Sequence, residues 1–426
     1  MQQSSPAGLI LALACLLAAC GGGAGGADPK AAASDEPKVV RIATFNAALN
    51  RPAPGTLIEE AAAGESPQIR AVAEIIQRVN PDIILINEID RDEVGQAAAL
   101  FKAYFLARSQ NGAAPIDFPH VYFAPVNTGV PSGFDLDRDG AVHAQPGDRG
   151  YGEDAFGFGA FQGQYGMAVL SKYPFDPADA RTFQNFLWKD MPGALLPDDP
   201  QSGATGGWYA PAALEAFRLS SKSHWDLPVR IGGDVIHILA SHPTPPAFDG
   251  PEARNRRRNH DEIRLWADYI SKEKSAYVYD DAGRRGGLAD DARFVILGDM
   301  NADPNDGASQ PGAIAQLLDH PRVNSGFVPK STGGIAAARR QGGANLAHKG
   351  DASADTADFA DARDGDPGNL RIDYVLPSRA GLRVIGGGVN WPAPTDAHAE
   401  LVGEGWPVVS SDHRLVWIDV EIVGGE

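Results

Sequence analysis

The chain has 426 residues, of which 43% are hydrophobic and 22% charged, and its formal net charge is -18. This length allows two average domains or one large domain with insertions. The negative charge argues against a nonspecific nucleic-acid coat protein, which needs a basic face. It is compatible with an enzyme that acts on phosphates, because a bound divalent cation can supply local positive charge.

The first residues have the features of a targeting segment. Residues 8–19 form a small and apolar run, too short to span a bilayer as a helix, and Cys20 and a glycine-rich stretch follow it. This pattern resembles a bacterial lipoprotein signal, in which the cysteine becomes the lipidated first residue, although residues 1–8 lack Lys and Arg. An ordinary secretory signal cut nearby is the alternative. We therefore expect a signal peptide over 1–20, lipidation of Cys20, and an extracytoplasmic protein that is anchored to a bacterial membrane by its lipid only, or secreted.

A flexible tether rich in Ala, Gly, Asp and Pro is expected over residues 21–38. Both cysteines of the chain lie in the signal segment, so the mature protein has no disulfide. The folded domain is predicted from 39 to 423. Two stretches of it, near 111–163 and 174–216, are rich in Gly, Asp and Pro and are expected to be insertions with little regular structure.

Short apolar runs alternate with a few segments of helical periodicity. One such segment spans 67–79, and Asn80-Pro81 ends it. A polar stretch from 331 to 368 is expected to be mobile. This pattern predicts an α+β fold with two sheets packed face to face and helices outside. In chain order, the predicted strands are 39–46, 82–89, 166–171, 235–240, 294–297, 370–376 and 415–420, and further predicted helices are 94–106, 259–270 and 313–318.

The segment GDMNADP, residues 298–304, directly follows the buried strand 294–297. Because side chains alternate along an extended backbone, Asp299 and Asn301 point the same way. A carboxylate and an amide aimed at one point suit a bound metal, an attacking water or a phosphate oxygen. An Asp-x-Asn turn that only caps its own backbone is the alternative for this segment considered alone.

Several other apolar runs also end in polar residues. The resulting set contains carboxylates, amides and two histidines but no thiol, which favours Mg²⁺ or Mn²⁺ over a zinc site. A P-loop motif and a Gly-x-Ser-x-Gly elbow do not occur in the sequence, which argues against P-loop NTPase and serine esterase chemistry. The set comprises Asn46, Glu88, His242, Asp299, Asn301, Asp373, Asp412 and His413.

Six segments occur in the order TFNAA, INEID, ASHPTPP, GDMNADP, RIDYVLP and SSDHRLV. With them, the chain resembles the endonuclease/exonuclease/phosphatase superfamily over residues 39–423. The resemblance implies a DNase I-like, four-layer α/β/β/α sandwich. It also implies a divalent-metal-dependent phosphoesterase, nuclease-like, that hydrolyses phosphodiesters by attack of a metal-ordered water.

Two alternatives remain open at this stage. The alternative within the same family is a phosphatase that acts on sugar, inositol or lipid phosphates. Between the nuclease-like enzyme and this phosphatase, the expected substrate is a nucleic acid or a small phosphorylated molecule. The alternative of another class is a non-catalytic, calcium-stabilised surface binding module. We expect no protein partner for the chain.

For the metal side of the site, the resemblance implies that Glu88 binds the catalytic metal and that Asp412 completes the metal site. Asn46 would help to hold that site and would orient Asp299. Asp299 would activate or orient the attacking water. The family often has a Gln immediately before its glutamate, and Asn87 stands there in this chain.

For the phosphate side, the resemblance implies that Asn301 contacts the scissile phosphate. His413 would bond a phosphate oxygen, and Asp373 would orient the imidazole of His413. His242 matches the family's other histidine, which faces the phosphate or acts on the leaving group.

An acidic segment in the first insertion has the spacing of a calcium loop. Asp135, Asp137 and Asp139 stand at alternate positions before a glycine, although Pro146 occupies the place of the closing glutamate of an EF-hand. Two interpretations remain open: a site for a structural Ca²⁺ that orders the insertion, and a plain acidic turn.

Three basic residues are candidates for substrate binding. Arg257 belongs to an arginine-rich run close behind the segment of His242, and Arg suits bidentate contacts to phosphate. Lys222 and His224 precede a strand and are expected to line the site. A helix start explains the arginines equally well, and a solvated strand end explains the other two.

Overall fold

A computed structural model of the chain describes residues 38–403 and 408–424. The predicted signal peptide, Cys20 and nearly all of the predicted tether lie outside the described residues. In the part of the chain that is described, no helix is long and apolar enough to cross a membrane.

The strands and helices follow in chain order. The strands are β1 (Val39–Leu49), β2 (Ile83–Ile89), β3 (His120–Tyr122), β4 (Met167–Ser171), β5 (Arg181–Thr182), β6 (His224–Ile231), β7 (Asp234–Ser241), β8 (Phe294–Asp299), β9 (Ala357–Asp358), β10 (Asn369–Leu370), β11 (Asp373–Pro377), β12 (Leu382–Val389) and β13 (Val416–Ile422). The α-helices are α1 (Thr56–Ala63), α2 (Pro67–Val79), α3 (Gln96–Phe101), α4 (Pro211–Leu214), α5 (Arg254–Tyr269), α6 (Ala315–Leu318) and α7 (Thr332–Gln341).

Two mixed sheets form the centre of the fold. The first has six strands in the order β12-β13-β1-β2-β4-β3, and the second has five in the order β11-β8-β7-β6-β5. Their inner faces pack together in one apolar layer, to which Ile42 and Leu85 contribute from the first sheet and Ile238 and Val295 from the second.

Helices cover both outer faces of the sheet pair. Helices α2 and α3 pack on the first sheet, with Ile69 and Val72 buried against Ile84. Helices α5 and α6 pack on the second sheet, where Trp266 is buried with Ile296. The four layers are therefore helix, sheet, sheet and helix, which confirms the predicted α/β/β/α sandwich.

Helix α2 illustrates how local sequence sets an element. Its apolar residues recur at three- and four-residue intervals, and Ile69, Val72, Ile76 and Val79 are all buried. Pro67 occupies the first turn, where its missing N–H costs nothing. Asn80 takes a left-handed φ of 52° and ends the helix at the predicted residue.

The insertion at residues 174–216 is more ordered in packing than in secondary structure. Its aromatic side chains Phe183, Phe186 and Trp188 are fully buried against α5 and the second sheet. Aromatic burial of this size explains how a segment with few regular elements keeps a defined place on the sandwich.

Residues 331–368 were expected to be a mobile polar stretch, but they contain α7 and β9. Ser331 caps α7 by accepting a hydrogen bond from the N–H of Gly334. Asp358 of β9 accepts a hydrogen bond from Arg414 at 3.0 Å, close to the end of the chain. Part of this stretch is therefore built into the fold beside the predicted site.

Candidate active site

Strand ends from both sheets meet at one edge of the sandwich. In the first sheet, parallel β1 and β2 pair in a register that sets Asn46 opposite Asn87, next to Glu88. In the second sheet, antiparallel β8 and β11 pair in a register that sets Asp299 opposite Asp373. The sheets are linked where Asn46 Nδ2 donates to Asp299 Oδ2 at 3.1 Å.

Gly298 explains how β8 reaches this point. Its φ of 143° lies in a region that other residues avoid, and a Cβ there would stand 1.9 Å from the carbonyl oxygen of Ser241. The glycine therefore lets β7 and β8 approach closely, and this brings His242, the residue after β7, next to Asp299.

Asp299 is the centre of the site. Its Oδ2 lies 3.1 Å from Asn46 Nδ2, 3.3 Å from His242 Nε2 and 3.7 Å from His413 Nε2. Its Oδ1 accepts the backbone N–H of Asn301 at 2.9 Å. Burial by itself would raise the pKa of Asp299, but the two imidazoles and the Asn46 amide outweigh burial and hold this pKa well below its usual range. The carboxylate is therefore ionised.

His413 lies between two carboxylates. Its Nδ1 is 2.9 Å from Asp373 Oδ2, which also accepts a hydrogen bond from the Thr356 hydroxyl at 2.8 Å. Burial opposes protonation of His413, but the charges of Asp373 and Asp299 prevail and raise its pKa well above the usual value. Burial raises the pKa of Asp373 to about 6. At neutral pH, the pair is an imidazolium and a carboxylate, with the Nε2–H of His413 directed toward Asp299.

His242 is buried and uncharged. Burial and the nearby ammonium of Lys222 lower its pKa, and Asp299 offsets this only in part. Its Nδ1 is buried without a hydrogen-bond partner among the described residues. The tautomer that fits is therefore the one in which Nε2–H donates to Asp299.

Lys222 is a buried amine close to the same carboxylates. It is 7% exposed, and burial lowers its pKa, while Glu262, Glu88 and Asp299 favour its charged form. Within the described residues, its ammonium has neither a hydrogen-bond nor an ion-pair partner. A cation in this position can bind an oxygen of a substrate phosphate.

Glu88, the penultimate residue of β2, has a strained backbone conformation with a φ of 60°. Its Oε2 accepts a hydrogen bond from Asn50 at 3.0 Å, and its charge acts on His242 and Lys222. Asp412 precedes His413 in the chain, and its charge contributes to the raised pKa of that histidine. Together with Asn46, these residues offer oxygen ligands, the type that Mg²⁺ and Mn²⁺ prefer.

A tighter group of potential ligand atoms lies beside these residues. Single ligand atoms of Asp299, Asp373 and His413 all lie within 4.8 Å of one another. His413 and Asp373 already bond each other, however, so their geometry suits a hydrogen-bonded pair better than a pair of metal ligands. The donor set therefore fits a hard cation on the side of Glu88.

Asn301 extends the site toward the loop after β7. Its Nδ2 donates to the carbonyl oxygen of Pro243 at 3.1 Å, and its φ is 51°. One N–H of this amide remains for another acceptor. The predicted residues thus meet at Asp299, which is approached by the side chains of Asn46, His242 and His413 and by the backbone N–H of Asn301, while Asp373 reaches it through His413.

The structure does not bring His224 into the site. Its Nδ1 lies 2.7 Å from the Ser220 hydroxyl and its Nε2 lies 2.9 Å from the carbonyl oxygen of Glu262, so both ring nitrogens are occupied. Burial lowers its pKa to about 4. This uncharged, fully buried histidine packs behind the site and cannot contact a substrate.

Arg257 also points away from the site. Helix α5 begins at Arg254, so the arginine-rich run is helical and its side chains spread around the axis. The guanidinium of Arg257 binds Asp198 at 2.6 Å and the carbonyl oxygen of Leu196 at 2.9 Å. Its function in the structure is to tie the 174–216 insertion to α5.

Two residues with a positioning role were not foreseen. Thr356 holds Asp373 through its hydroxyl, and nothing in its local sequence distinguishes it from a surface threonine. Glu262, on α5, accepts the backbone N–H groups of Ser221 and Thr244, both at 2.6 Å. It thereby holds the segments of Lys222 and His242 together.

The predicted calcium loop has a different set of neighbours from the one expected. Asp135 and Asp137 offer carboxylate oxygens within 4.8 Å of each other and of Asp154, which comes from the far side of the insertion. Asp139 is not a member of this group, because its Oδ2 bonds the imidazole of His143 at 3.0 Å. Spacing along the sequence could not reveal Asp154, whose position depends on how the insertion folds back.

Solved structures with a similar arrangement of the chain include three whose sequences differ widely from it. An endonuclease/exonuclease/phosphatase from Beutenbergia cavernae DSM 12333 is 17% identical, with 91% of this chain and 72% of that chain covered and a TM-score of 0.45. Sphingomyelinase C from Streptomyces griseocarneus is 14% identical, with coverages of 90% and 99% and a TM-score of 0.43. Truncated TDP2 from Caenorhabditis elegans is 13% identical, with coverages of 90% and 98% and a TM-score of 0.39.

These similarities are too low to transfer a substrate to this chain. No curated protein sequence matches it significantly. The sequence model of the Endonuclease/Exonuclease/phosphatase family matches residues 43–413, most of the chain and all of the residues around Asp299 described above. The chain therefore belongs to the endonuclease/exonuclease/phosphatase family of phosphoesterase hydrolases.

Proposed function

We propose that the protein is a divalent-metal-dependent phosphodiesterase in which water attacks the phosphorus of the substrate. The observation that carries this proposal is the position of Asp299, whose Oδ2 faces the Asn46 amide and the Nε2 atoms of His242 and His413. A phosphoryl group placed there meets hydrogen-bond donors on several sides, which is how phosphoryl transfer is stabilised.

The carboxylates of Glu88 and Asp412, with the amide oxygen of Asn46, would hold Mg²⁺ or Mn²⁺. When bound, such a cation supplies positive charge beside the phosphate and lowers the pKa of a coordinated water. The oxygen-rich donor set described above supports this choice of metal.

Asp299 orients the attacking water through Oδ2. A carboxylate with a strongly lowered pKa orients a water better than it removes its proton, so alignment is the main contribution of Asp299. Asn46 and the backbone N–H of Asn301 keep the carboxylate in place.

His413 donates from Nε2 to a phosphate oxygen, and its positive charge offsets the charge that develops during attack. Asp373 keeps the proton on Nδ1 and fixes the ring. His242, uncharged and with Nε2–H directed at the same point, adds a second donor without adding charge.

Within the described residues, the side chain of Lys222 has no carboxylate at ion-pair distance. Its position among Glu88, Asp299 and Glu262 supports a contact with a phosphate oxygen once a substrate is present.

We propose a phosphodiester as the preferred substrate and a phosphomonoester as the second choice.

The test uses purified protein with bis(p-nitrophenyl) phosphate and p-nitrophenyl phosphate, each with Mg²⁺, Mn²⁺ or Ca²⁺. We expect metal-dependent release of p-nitrophenol, faster from the diester. Asp299→Asn and His413→Gln should each abolish it, while the matched control Asp319→Asn, at an exposed aspartate, should not. Hydrolysis of neither ester would refute the enzyme, and hydrolysis of the monoester alone would replace the diesterase by a phosphatase.

Two further proposals concern the rest of the chain. The alternating acidic residues and the neighbouring Asp154 support a structural Ca²⁺ in the first insertion.

The sequence pattern around Cys20 supports an extracytoplasmic, lipid-anchored protein. Cys20→Ala should release the protein from the membrane fraction, and an unchanged membrane fraction would contradict the anchor.

A further inference from the structure

A cavity of about 610 Å³ opens between the end of β2 and the first insertion. One wall is the turn after β2, residues 90–93, and another is the start of α1 around Ile58. The insertion closes the far side through Val130, Tyr151 and Phe161. Cavities of this size hold compact organic ligands.

The cavity lies close in the chain to Glu88, the proposed metal ligand. Asp90 belongs to its wall and stands two residues after Glu88, so their Cα atoms are at most about 7 Å apart. The segment Asn50-Arg51 bridges the two carboxylates, because Asn50 Nδ2 donates to Glu88 and the N–H of Arg51 donates to Asp90 at 2.7 Å. The wall of the cavity at Asp90 is therefore a direct neighbour of the proposed metal ligand Glu88.

Close packing of the backbone fixes this wall. Gly163, with a φ of 89°, lets the insertion approach the turn after β2 so closely that a Cβ would stand 2.3 Å from the carbonyl oxygen of Arg91. The N–H of Arg91 donates to the carbonyl oxygen of Gly163 at 2.8 Å. The cavity is thus a formed feature of the fold, because backbone contacts hold the insertion to β2.

The charges around the cavity are predominantly negative. Its lining includes the carboxylates of Asp92 and Glu93, the carboxyl group of Asp90, whose pKa is raised to about 7 by burial, and one guanidinium, that of Arg91. The guanidinium is already engaged, since its Nε donates to the carbonyl oxygen of Phe123 at 3.1 Å and it lies over the Phe123 ring. Glu93 is exposed at the rim. The remaining lining is largely apolar and aromatic.

We propose that this cavity binds the non-phosphate part of the substrate, a compact organic group that carries no negative charge and is preferentially cationic. The proposal rests on the phosphodiesterase function proposed above, because it assigns the alcohol of the ester to the cavity while the phosphorus lies at Asp299. Apolar walls bury the organic group, and the carboxyl groups disfavour an anion.

The same features disfavour a long nucleic acid as the substrate. A polyanion that passed this point would bring further phosphates toward the carboxylates of Asp92 and Glu93, and the lining offers it only a guanidinium that is already bonded. A small diester has a single charge, which stays at the metal.

The test compares p-nitrophenyl phosphodiesters that differ in the second alcohol, which is methanol, choline or 4-hydroxybutyrate. Glu93→Lys reverses a rim charge, and Ile58→Trp fills the cavity. Glu273→Lys and Ile385→Trp are matched controls at exposed positions outside the lining. None of these residues belongs to the site around Asp299.

For the unaltered protein, we expect the lowest KM with the choline ester. Glu93→Lys should raise that KM about fivefold and lower the KM of the hydroxybutyrate ester, as expected for about 1 kcal/mol of charge interaction. Ile58→Trp should raise the KM of both larger esters. Neither variant should change kcat/KM for the methyl ester more than about twofold, which shows that the fold and the site are intact.

The outcomes separate this inference from the function on which it rests. If the unaltered protein hydrolyses the methyl ester but Glu93→Lys and Ile58→Trp behave like their controls, the cavity is not the alcohol site. If the hydroxybutyrate ester is preferred over the choline ester, the proposed charge preference is wrong. If no ester is hydrolysed, the proposed function fails and this inference fails with it.

Discussion

Asp373 and His413 form a hydrogen-bonded pair, with Oδ2 and Nδ1 2.9 Å apart, although 40 residues separate them in the chain. The β8–β11 register places Asp373 opposite Asp299, and the ring of His413 spans from one carboxylate to the other. The imidazole is therefore held in one orientation and kept charged, and both effects favour binding of a phosphate oxygen.

Removing the charge of Asp373 should mainly slow the chemical step. We expect Asp373→Asn to lower kcat about 100-fold, because an amide neither fixes the Nδ1–H tautomer nor raises the pKa of His413. The pH profile of kcat should shift downward in pH with it, a change that a purely structural defect would not produce. Steady-state kinetics between pH 5 and 9 measure both effects.

Thr356 should act through Asp373. Thr356→Val removes the hydroxyl that donates to Asp373 Oδ2 at 2.8 Å, and we expect a loss of about tenfold in kcat with KM nearly unchanged. Thr332→Val, at an exposed threonine, is the control. Equal kinetics for the two variants would show that Thr356 has no positioning role.

The charge of Lys222 should stabilise the phosphate during attack. We expect Lys222→Met to lower kcat/KM about 100-fold, whereas Lys222→Arg, which keeps the charge, should recover part of the loss. Lys272→Met, at a lysine that is 74% exposed in its side chain, should be neutral. A Met variant with full activity would exclude Lys222 from the site.

Metal removal should abolish activity reversibly. Treatment with a chelator should stop hydrolysis, and Mg²⁺ or Mn²⁺ should restore it. Glu88→Gln should raise the metal concentration needed for half-maximal activity at least tenfold, since a neutral amide binds a hard cation less strongly than a carboxylate. The exposed Glu273→Gln is the matched control. A Glu88→Gln enzyme with an unchanged metal requirement would move the metal site elsewhere.

Asp355 should make the fold less stable as the pH rises. Burial, together with Asp303, Asp306 and Asp351, raises its pKa from 3.8 to about 8. Below pH 4, the residue is protonated in both the folded and the unfolded chain. Between these pKa values, only the unfolded chain releases the proton freely, so the free energy of unfolding falls as the pH rises toward 8.

Urea unfolding in the presence of a chelator tests this expectation. Relative to the unaltered protein, Asp355→Asn should gain roughly 4 kcal/mol more stability at pH 8 than at pH 5. Asp319→Asn, at an exposed aspartate, should show no such difference. The same gain at both pH values would mean that the Asn side chain stabilises the fold for a reason other than charge.

Calcium should stabilise the first insertion through Asp154. We expect Ca²⁺ to raise the Tm, and Asp154→Asn to remove most of that increase. Asp139→Asn should retain the increase, because Asp139 bonds His143 and lies outside the group of ligand atoms. Loss of the calcium effect in the Asp139 variant would favour the arrangement expected from spacing alone.

Much of the sandwich could be predicted because apolar residues recur at regular helical or strand intervals along the sequence. The helix over 67–79 has its start, its buried face and its end where the periodicity and Asn80 place them. The structure of the long insertions and of residues 331–368 was harder to predict. Their burial depends on single aromatic or polar contacts, such as Trp188 against Asp261 at 2.7 Å, rather than on a repeated pattern.

By itself, the sequence determined the family, the layered α/β architecture and the kinds of side chain that end the strands, because these follow from local periodicity and short motifs. Only the tertiary structure decided which of those side chains meet. It joined Asn46 to Asp299 across 253 residues, turned Arg257 to Asp198 and brought Asp154 beside Asp135. The physical reason is that a local pattern sets the direction of a side chain along its own strand or helix, whereas the packing of sheets and insertions selects its partner.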